Sequence, residues 1–223
     1  MDLNEMGLIA ALRTTGAVRR FTDEAVDRTT VAAILDDARF APSGGNRQPW
    51  RVAVVEDRLV RRQMAALMRP VWDEYLAAAS GGQTPFNTVA FEPPDTIPIG
   101  QPNELLDRID HVPVVLAVAA DLRRIALMDG QFDRPPITGG ASVYPFCWSV
   151  LLAARGRGLG GVMTTFLSRV EPTTLAFLGL PSGHALAATI FIGRPEHQMT
   201  HLRRAPVDTF TAIDRFDGDA FSA

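Results

Sequence analysis

A short polar loop carries the most suggestive chemistry in the sequence. It reads Pro-Ser-Gly-Gly-Asn-Arg-Gln-Pro-Trp over residues 42–50 and stands between a predicted helix and a predicted strand. Its two glycines let the backbone approach a flat ligand closely. The Ser43 hydroxyl and the Asn46 and Gln48 carboxamides offer both hydrogen-bond donors and acceptors. The loop therefore suits a heterocycle with alternating N–H and C=O groups; the alternative is a turn whose polar groups satisfy one another.

The order of four motifs along the chain is more informative than any one of them. The first is Val-Arg-Arg-Phe at 18–21, and the second is the polar loop. The third is Gly-Leu-Gly at 158–160, followed by Val-Met-Thr-Thr at 162–165. The fourth joins Ile-Gly-Arg-Pro to a later Leu-Arg-Arg-Ala-Pro at 202–206. This ordered set covers nearly the whole chain and resembles the nitroreductase family.

The resemblance implies that the chain binds FMN, with a role for residues in each motif. The Arg19 guanidinium matches the family's cation near flavin N1 and O2, where reduced flavin carries negative charge. Arg20 matches a second contact or a solvated neighbour. No catalytic side chain is expected, because flavin N5 carries the chemistry. The positions expected to bind the cofactor are Arg19, Arg20, Pro42, Ser43, Gly44, Asn46, Gln48, Met163, Thr164, Thr165, Arg203 and Arg204.

The phosphate-binding part of the family pattern is incomplete. Where the family has an arginine and a serine, this chain has Thr15-Gly16-Ala17, and Arg13 lies two positions earlier. Arg203 and Arg204 match the family's C-terminal phosphate contacts, and guanidinium groups bind phosphate through two parallel hydrogen bonds. Arg204 aligns better than Arg203. Whether Arg13 replaces the missing arginine is left open by the sequence.

Hydrophobic periodicity places helices and strands in alternation. Helices are predicted over 3–12, 28–41, 59–79 and 141–154, and a short helix capped near Glu171 and Pro172 separates the last two strands. The second helix is capped by Asp27 and ends at Pro42. Strands are predicted over 51–56, 112–119, 159–163 and 185–193. This alternation alone favours a layered α/β protein. The resemblance instead implies one α+β domain over 1–223, three layers with a mixed, mostly antiparallel sheet flanked by helices, and an intertwined homodimer.

Two segments bear on how the site is closed. Residues 80–103, here called the proline-rich segment, contain adjacent glycines and five prolines, together with Phe86 and Phe91. Such a long irregular stretch predicts a lid over a site.

The helix at 141–154 is apolar on nearly all sides, which predicts that it is fully buried. A chain of this length needs a second copy to cover it, and the resemblance places FMN at the interface, where Ser43 and Gly44 serve the opposite subunit.

Composition bears on the partners, the location and the metal-binding capacity of the protein. A formal net charge of −3 argues against nucleic acid as a partner. No apolar segment approaches the roughly 20 residues needed to span a bilayer, and a single cysteine suits a reducing cytoplasm. Cys147 and the three tryptophans are expected in the core, and the four histidines lack metal-ligand spacing.

The resemblance implies an enzyme that passes reducing equivalents from NADPH or NADH through FMN to a small-molecule acceptor. Nitroaromatics, quinones and enones are the acceptor classes it implies, with donor and acceptor using one pocket in turn. Two alternatives stay open: a different flavin reaction, such as reductive dehalogenation or flavin breakdown, and a flavin-binding storage protein without turnover. The absent arginine and serine favour the storage protein slightly.

Overall fold

A computed structural model describes residues 7–221, and a four-stranded sheet forms its centre. The strands are β1 (Trp50–Val54), β2 (Val114–Asp121), β3 (Gly160–Thr164) and β4 (His184–Gly193), in the order β1-β2-β4-β3. Every neighbouring pair of these strands is antiparallel. A parallel element is supplied by the isolated bridge between Ala17 and Gly161. The α+β expectation is confirmed, and the layered α/β interpretation drawn from alternation is wrong.

The alternation misleads because it carries no information on strand direction. The connection from β1 to β2 contains a helix of 23 residues and the whole proline-rich segment. That length of chain can return to either end of the sheet. Antiparallel pairing follows here, with Val52 opposite Val118. All eight residues of β2 are buried, which explains its continuous apolar sequence.

Helices cover both faces of the sheet and give three layers. They are α1 (Leu8–Thr14), α2 (Arg28–Ala38), α3 (Arg58–Ser80), α4 (Glu104–Asp107), α5 (Tyr144–Gly156), α6 (Phe166–Arg169) and α7 (Glu171–Leu178). On one face, α2 and α5 pack against the even-numbered side chains of β2, including Leu116 and Val118. On the other face, α3, α4 and α6 pack against the odd-numbered side chains, including Val115 and Ala117. No helix among residues 7–221 is long and apolar enough to cross a membrane.

The ends of α2 show how local chemistry sets helix bounds. The Asp27 carboxylate accepts a hydrogen bond from the Thr30 amide at 2.7 Å, which confirms the predicted N-terminal cap. The predicted end at Pro42 is wrong, because the helix stops at Ala38. The Ala41 amide there donates to the Ala38 carbonyl at 3.0 Å, so a tight turn precedes the proline.

The helix α5 differs from its prediction at its start and in its burial. It begins at Tyr144, and Pro145 lies in its first turn, where the missing amide hydrogen removes no helical hydrogen bond. Five side chains of α5 are buried, but Tyr144 is 41% exposed and Trp148 is 38% exposed. The expectation of full burial is therefore wrong for the single chain, since one stripe of the helix faces solvent.

The first helix is also shifted relative to its prediction. Residues 3–6 of the predicted helix 3–12 lie outside the described residues, and the observed helix continues to Thr14. Leu8, Ile9 and Leu12 are exposed large hydrophobic side chains of this helix. Together with the stripe on α5, they leave apolar surface that the single chain does not cover.

The end of the proline-rich segment is fixed to α3. Ser80 ends α3, and residues 81–103, all of which the structure describes, form neither helix nor strand. The buried Asp73 carboxylate accepts hydrogen bonds from the Gly100 and Gln101 amides at 2.8 and 2.9 Å. The Trp72 indole donates to the Pro102 carbonyl at 3.2 Å. These bonds hold the chain immediately before α4 in place.

Candidate functional site

A cavity of about 590 Å³ lies where the end of β3 meets α3 and the start of α4. It brings together the residues of two of the four sequence motifs with a set of aromatic side chains. Its lining consists of Arg19, Arg20, Trp72, Tyr75, Asn103, Glu104, Leu105, Leu106, Met163, Thr164, Thr165 and Phe166. The volume is within the range of small-molecule and cofactor sites.

The glycines before β3 let two chain segments pack closely. Gly158 has φ +73°, which favours glycine at the turn after α5. A Cβ atom on Gly160 would lie 2.7 Å from a methyl carbon of Val18, and one on Gly161 would lie 2.7 Å from the Phe191 carbonyl oxygen. The Val18 amide donates to the Gly161 carbonyl at 2.9 Å. The glycines therefore bring the segment that carries Arg19 and Arg20 directly beside β3.

Arg19 and Arg20 project from a short stretch that is anchored on both sides. Val18 and Phe21 are buried, whereas both arginines are exposed and line the cavity. The Arg20 Nε atom lies 2.6 Å from a carboxylate oxygen of Glu104. Arg19 forms no hydrogen bond or ion pair with residues 7–221, so its guanidinium is available to a ligand.

The end of β3 contributes Met163, Thr164 and Thr165 to the cavity. Thr164 pairs with Thr189 of β4, and both hydroxyl oxygens are buried with no hydrogen-bond partner among residues 7–221. Buried polar groups without partners are uncommon in native proteins. Thr164 lines the cavity, but its hydroxyl oxygen is enclosed by protein and is not exposed to that space.

The polar loop has a strained backbone. Gly45, Asn46 and Gln48 have φ values of +58°, +51° and +48°, and the last two are not glycine. Such conformations cost free energy and concentrate at ligand-binding sites. The sequence indicated the glycines as the flexible positions, but the two carboxamide residues adopt the left-handed conformation as well.

The polar groups of this loop largely satisfy one another in the single chain. The Gln48 amide donates to the Ser43 hydroxyl at 3.0 Å, and the Gln48 side chain donates to the Asn46 carboxamide oxygen at 3.0 Å. The Gly44 amide donates to the Ser142 hydroxyl at 3.0 Å. The loop positions expected to contact flavin lie outside the lining of the 590 Å³ cavity: Pro42, Ser43, Gly44, Asn46 and Gln48.

A second cavity, of about 600 Å³, brings Arg13 and Arg204 together. Its wall also includes Thr14 and His201, but Arg203 is not part of it. Beside it, Arg155 approaches the Thr14 hydroxyl at 3.4 Å and has a buried Nε atom without a partner among residues 7–221. Two cations on one cavity wall form a setting that suits an anion.

Several cavity residues were not identified from the sequence as site residues. Trp72 and Tyr75 stack with ring centroids 5.9 Å apart and planes 10° apart, and Phe166 contacts Tyr75 edge-on at 5.8 Å. Trp72 was expected in the core, and Tyr75 and Phe166 were not singled out as site residues from the sequence. Glu104 was also missed, because a carboxylate that begins a short helix resembles an ordinary capping residue.

Cys147 takes no part in either cavity. It is completely buried in α5, and burial raises the pKa of its thiol to about 12. A thiol with so high a pKa carries little thiolate at neutral pH. The expectation that Cys147 is a small core residue is confirmed. The described residues contain no group of three or more His, Cys, Asp or Glu side chains placed to hold a metal ion.

Comparison with known proteins identifies the family to which this fold and site belong. The family model described as "Nitroreductase family" matches residues 12–194. The chain therefore belongs to the nitroreductase family and is an oxidoreductase of that family. The match ends before Arg203 and Arg204, so the C-terminal arginines lie outside the matched region.

Three similar proteins illustrate the range of the family. A nitrobenzene nitroreductase from Ectopseudomonas oleovorans is 28% identical, with 91% of this chain and 94% of the relative covered. A 5,6-dimethylbenzimidazole synthase from Rhodospirillum rubrum is 30% identical, with 89% and 87% covered. The solved structure of an NADPH:FMN oxidoreductase from Vibrio harveyi complexed with NAD+ has a TM-score of 0.68 at 17% identity, with 94% of this chain and 77% of that chain covered. This structural likeness establishes the fold alone.

Proposed function

We propose that the protein transfers reducing equivalents from NADPH or NADH, through bound FMN, to nitroaromatic, quinone or enone acceptors. The observation that carries this proposal is the 590 Å³ cavity, in which the unpaired Arg19 guanidinium, the end of β3 and the Trp72 and Tyr75 rings line one space. The name of the nitrobenzene nitroreductase supports a nitroaromatic acceptor, and that of the NADPH:FMN oxidoreductase supports NADPH and FMN. Quinones and enones come from the family resemblance.

The residues present fit FMN. The Arg19 guanidinium, which has no partner within residues 7–221, suits the polar edge of a flavin ring, and two cations at Arg13 and Arg204 suit its phosphate. Arg19 lines one cavity and Thr14 lines the other, so a cofactor that reaches both cavities would lie along the short segment between these residues. Bound FMN supplies hydride transfer at its N5 atom.

The protein's own residues would place and stabilise the reactants. Arg19 provides fixed positive charge where negative charge develops on reduction. The backbone at Met163 to Thr165 offers donors at the end of β3, and the aromatic rings of Trp72, Tyr75 and Phe166 exclude water and stack against planar molecules. Donor and acceptor would occupy this space in turn, in a ping-pong order. No side-chain acid or base is needed for hydride transfer itself.

The second copy of the chain would complete each site. Uncovered apolar side chains on α1, on α5 and in the C-terminal tail form the surface that a partner would bury: Leu8, Ile9, Tyr144, Trp148, Phe210 and Phe216. The strained polar loop lies outside the cavity of its own chain, so it is free to contact the flavin of the partner subunit. Both the apolar surface and the position of the loop support homodimerisation.

A single chromatographic experiment tests FMN binding and dimerisation together. Light scattering during elution is expected to give a mass of twice 24.2 kDa for the purified protein. The absorbance of oxidised flavin is expected to correspond to one FMN for each chain. Addition of NADPH or NADH under nitrogen should bleach the band, and an acceptor such as nitrobenzene should restore it. A colourless monomer that fails to quench FMN fluorescence on titration would refute the proposal.

A second candidate function is another flavin reaction, because the relative from Rhodospirillum rubrum is named as a synthase rather than a nitroreductase. The same spectra separate the two. A flavin band that returns in full after reduction and exposure to air supports the oxidoreductase, whereas permanent loss of the band supports flavin breakdown. A band that NADPH and NADH never bleach supports a storage protein.

The proline-rich segment is expected to influence the choice of acceptor. The Phe86 ring lies 6.4 Å from Tyr75 and 6.0 Å from Phe91, and the Arg169 guanidinium is 4.5 Å from its centroid. Phe86 has φ +58°, a conformation that a bulky side chain rarely adopts.

Replacing Phe86 and Phe91 by alanine should therefore change the ratio of the KM values for large and small acceptors by about 3- to 10-fold, which corresponds to the usual strength of an aromatic pair. The flavin spectrum should stay unchanged. Val89→Ala in the same segment is the control, since Val89 is 92% exposed. If the double variant loses FMN, the segment holds the cofactor and does not select acceptors.

A further inference from the structure

The cavity contains an ion pair that the proposed reaction does not use. Arg20 and Glu104 both line the cavity, and the Arg20 Nε atom lies 2.6 Å from a carboxylate oxygen of Glu104. The Arg20 side chain is 67% exposed and that of Glu104 is 43% exposed. A pair this accessible contributes little to folding stability. The effect of the pair on a ligand therefore depends on its position in the cavity wall.

The fold fixes each member of the pair independently. Arg20 is held between the buried side chains of Val18 and Phe21. Glu104 is the first residue of α4, which is capped by a hydrogen bond of 3.2 Å from the Leu106 amide to the Asn103 carboxamide oxygen. The chain just before it is held by the hydrogen bonds that Asp73 and Trp72 make with residues 100–102. The backbone therefore holds both residues at the cavity wall by separate sets of contacts.

The pair dominates the charge that an acceptor would meet. Arg19 is the flavin contact in the proposed function, and the other lining residues carry no formal charge. Two nearby ionic groups have partners elsewhere, since Asp107 pairs with Arg69, and Arg108 pairs with Asp23 at 3.2 Å. In the pair, Glu104 offsets the positive charge of Arg20. With Arg19 assigned to the flavin, the formal charges of the remaining lining residues sum to zero, and the lining includes the aromatic rings of Trp72, Tyr75 and Phe166.

We propose that Glu104 is a specificity-determining residue that neutralises Arg20 and so adapts the cavity to uncharged aromatic acceptors, at the expense of aromatic carboxylates. The proposal rests on the proposed function for the identity of the reaction. A carboxylate on the acceptor would need the Arg20 guanidinium as its partner. Glu104 already accepts the Arg20 Nε–H, offsets the charge of that guanidinium and repels a second carboxylate over a few ångströms. Removing the charge of Glu104 reverses both effects.

Two acceptors with the same reacting group test this idea. At neutral pH, 4-nitrobenzoate carries a carboxylate and 4-nitrobenzamide does not, while the ring and the nitro group are shared. The FMN-loaded protein is first reduced under nitrogen by light with EDTA as the electron donor, and its reoxidation by each compound is then followed by stopped-flow absorbance. Photoreduction keeps NADPH and NADH, which are themselves charged, out of the measurement.

Glu104→Gln keeps the shape of the side chain and is expected to raise the rate for nitrobenzoate relative to nitrobenzamide by about tenfold, the size of one partly screened charge interaction. Arg20→Gln leaves Glu104 without its partner and is expected to lower the same ratio. Glu56→Gln is the matched control, because Glu56 pairs with Arg28 at 2.5 Å and lines neither cavity of the site. An unchanged ratio in Glu104→Gln overturns the proposal.

A binding measurement separates this proposal from the proposed function. Benzoate and benzamide are not reducible, so calorimetry gives their Kd values for the FMN-loaded protein without turnover. The Kd for benzoate relative to that for benzamide should fall in Glu104→Gln and rise in Arg20→Gln. If the loaded protein reduces neither nitro compound but these Kd ratios shift as stated, the reaction is wrong and the charge selectivity stands. If turnover occurs and the ratios stay fixed, the selectivity is wrong and the reaction stands.

Discussion

Replacing Arg204 by alanine is expected to weaken FMN binding by roughly 10- to 150-fold, the equivalent of one charge-assisted hydrogen bond. The reason is that Arg204 lines the second cavity, where it would hold the cofactor's phosphate. Arg203→Ala is the matched control. Arg203 is the adjacent residue and carries the same charge, but it is not part of that cavity. Fluorescence quenching during titration of the apoprotein with FMN measures both dissociation constants.

Arg13→Ala should have an effect of similar size, because Arg13 faces the same cavity as Arg204. This chain lacks the arginine and serine that the family resemblance led us to expect at residues 15 and 17. A loss of affinity in Arg13→Ala would show that an arginine two positions earlier has taken over the role. If Arg203→Ala weakens binding and Arg204→Ala does not, the assignment of the two C-terminal arginines is reversed.

The sequence predicted the layers of the fold better than the direction of its strands. The apolar stripe of α2 and its Asp27 cap follow from local spacing, and the structure confirms both. Strand direction depends on where a long connection returns, and residues 55–113 contain no local signal for that. The antiparallel sheet was therefore expected from the resemblance and not from the pattern of hydrophobic residues.

Composition identifies an apolar surface without identifying what covers it. Composition alone marked the helix at 141–154 as apolar on nearly all sides, but it could not show whether the same chain or a partner covers each side. In the single chain Tyr144 and Trp148 stay exposed. The polar loop presents the same difficulty, because its residues lie away from the cavity that their sequence motif was expected to form.

Residues that reach the site from remote segments were the hardest to identify. Trp72 belongs to a regular amphipathic stripe, so periodicity assigned it to the core, yet its ring also lines the cavity. The role proposed for Glu104 depends on its ion pair with Arg20, which is 84 residues away in the sequence. Tertiary contacts of this kind leave no trace in local spacing. In contrast, Arg19 was identified because the family motif around it is local.

Arg19→Ala is expected to lower the reduction potential of the bound flavin and to slow its reduction by NADPH or NADH. The Arg19 guanidinium lies on the cavity wall with no partner among residues 7–221, so its charge is free to act on the cofactor. A cation at the N1–C2=O edge favours the negatively charged reduced ring over the neutral oxidised one. A hydrogen bond to a charged group contributes about 1.5–3 kcal/mol, and in a two-electron couple about 1.4 kcal/mol corresponds to 30 mV. The expected decrease is therefore roughly 30–65 mV from these two relations.

The matched variants make this result specific to the position of the charge. Arg19→Lys should recover part of the potential, because the charge remains while the planar hydrogen-bonding geometry is lost. Arg204→Ala removes a contact to the phosphate, whose charge is the same in both redox states, so it should weaken FMN binding and leave the potential of the bound flavin nearly unchanged. Equilibration with a reference dye of known potential measures the reduction potential of the bound flavin in each variant. A shift in Arg204→Ala combined with simple loss of FMN in Arg19→Ala would mean that Arg19 binds the phosphate and Arg204 contacts the ring.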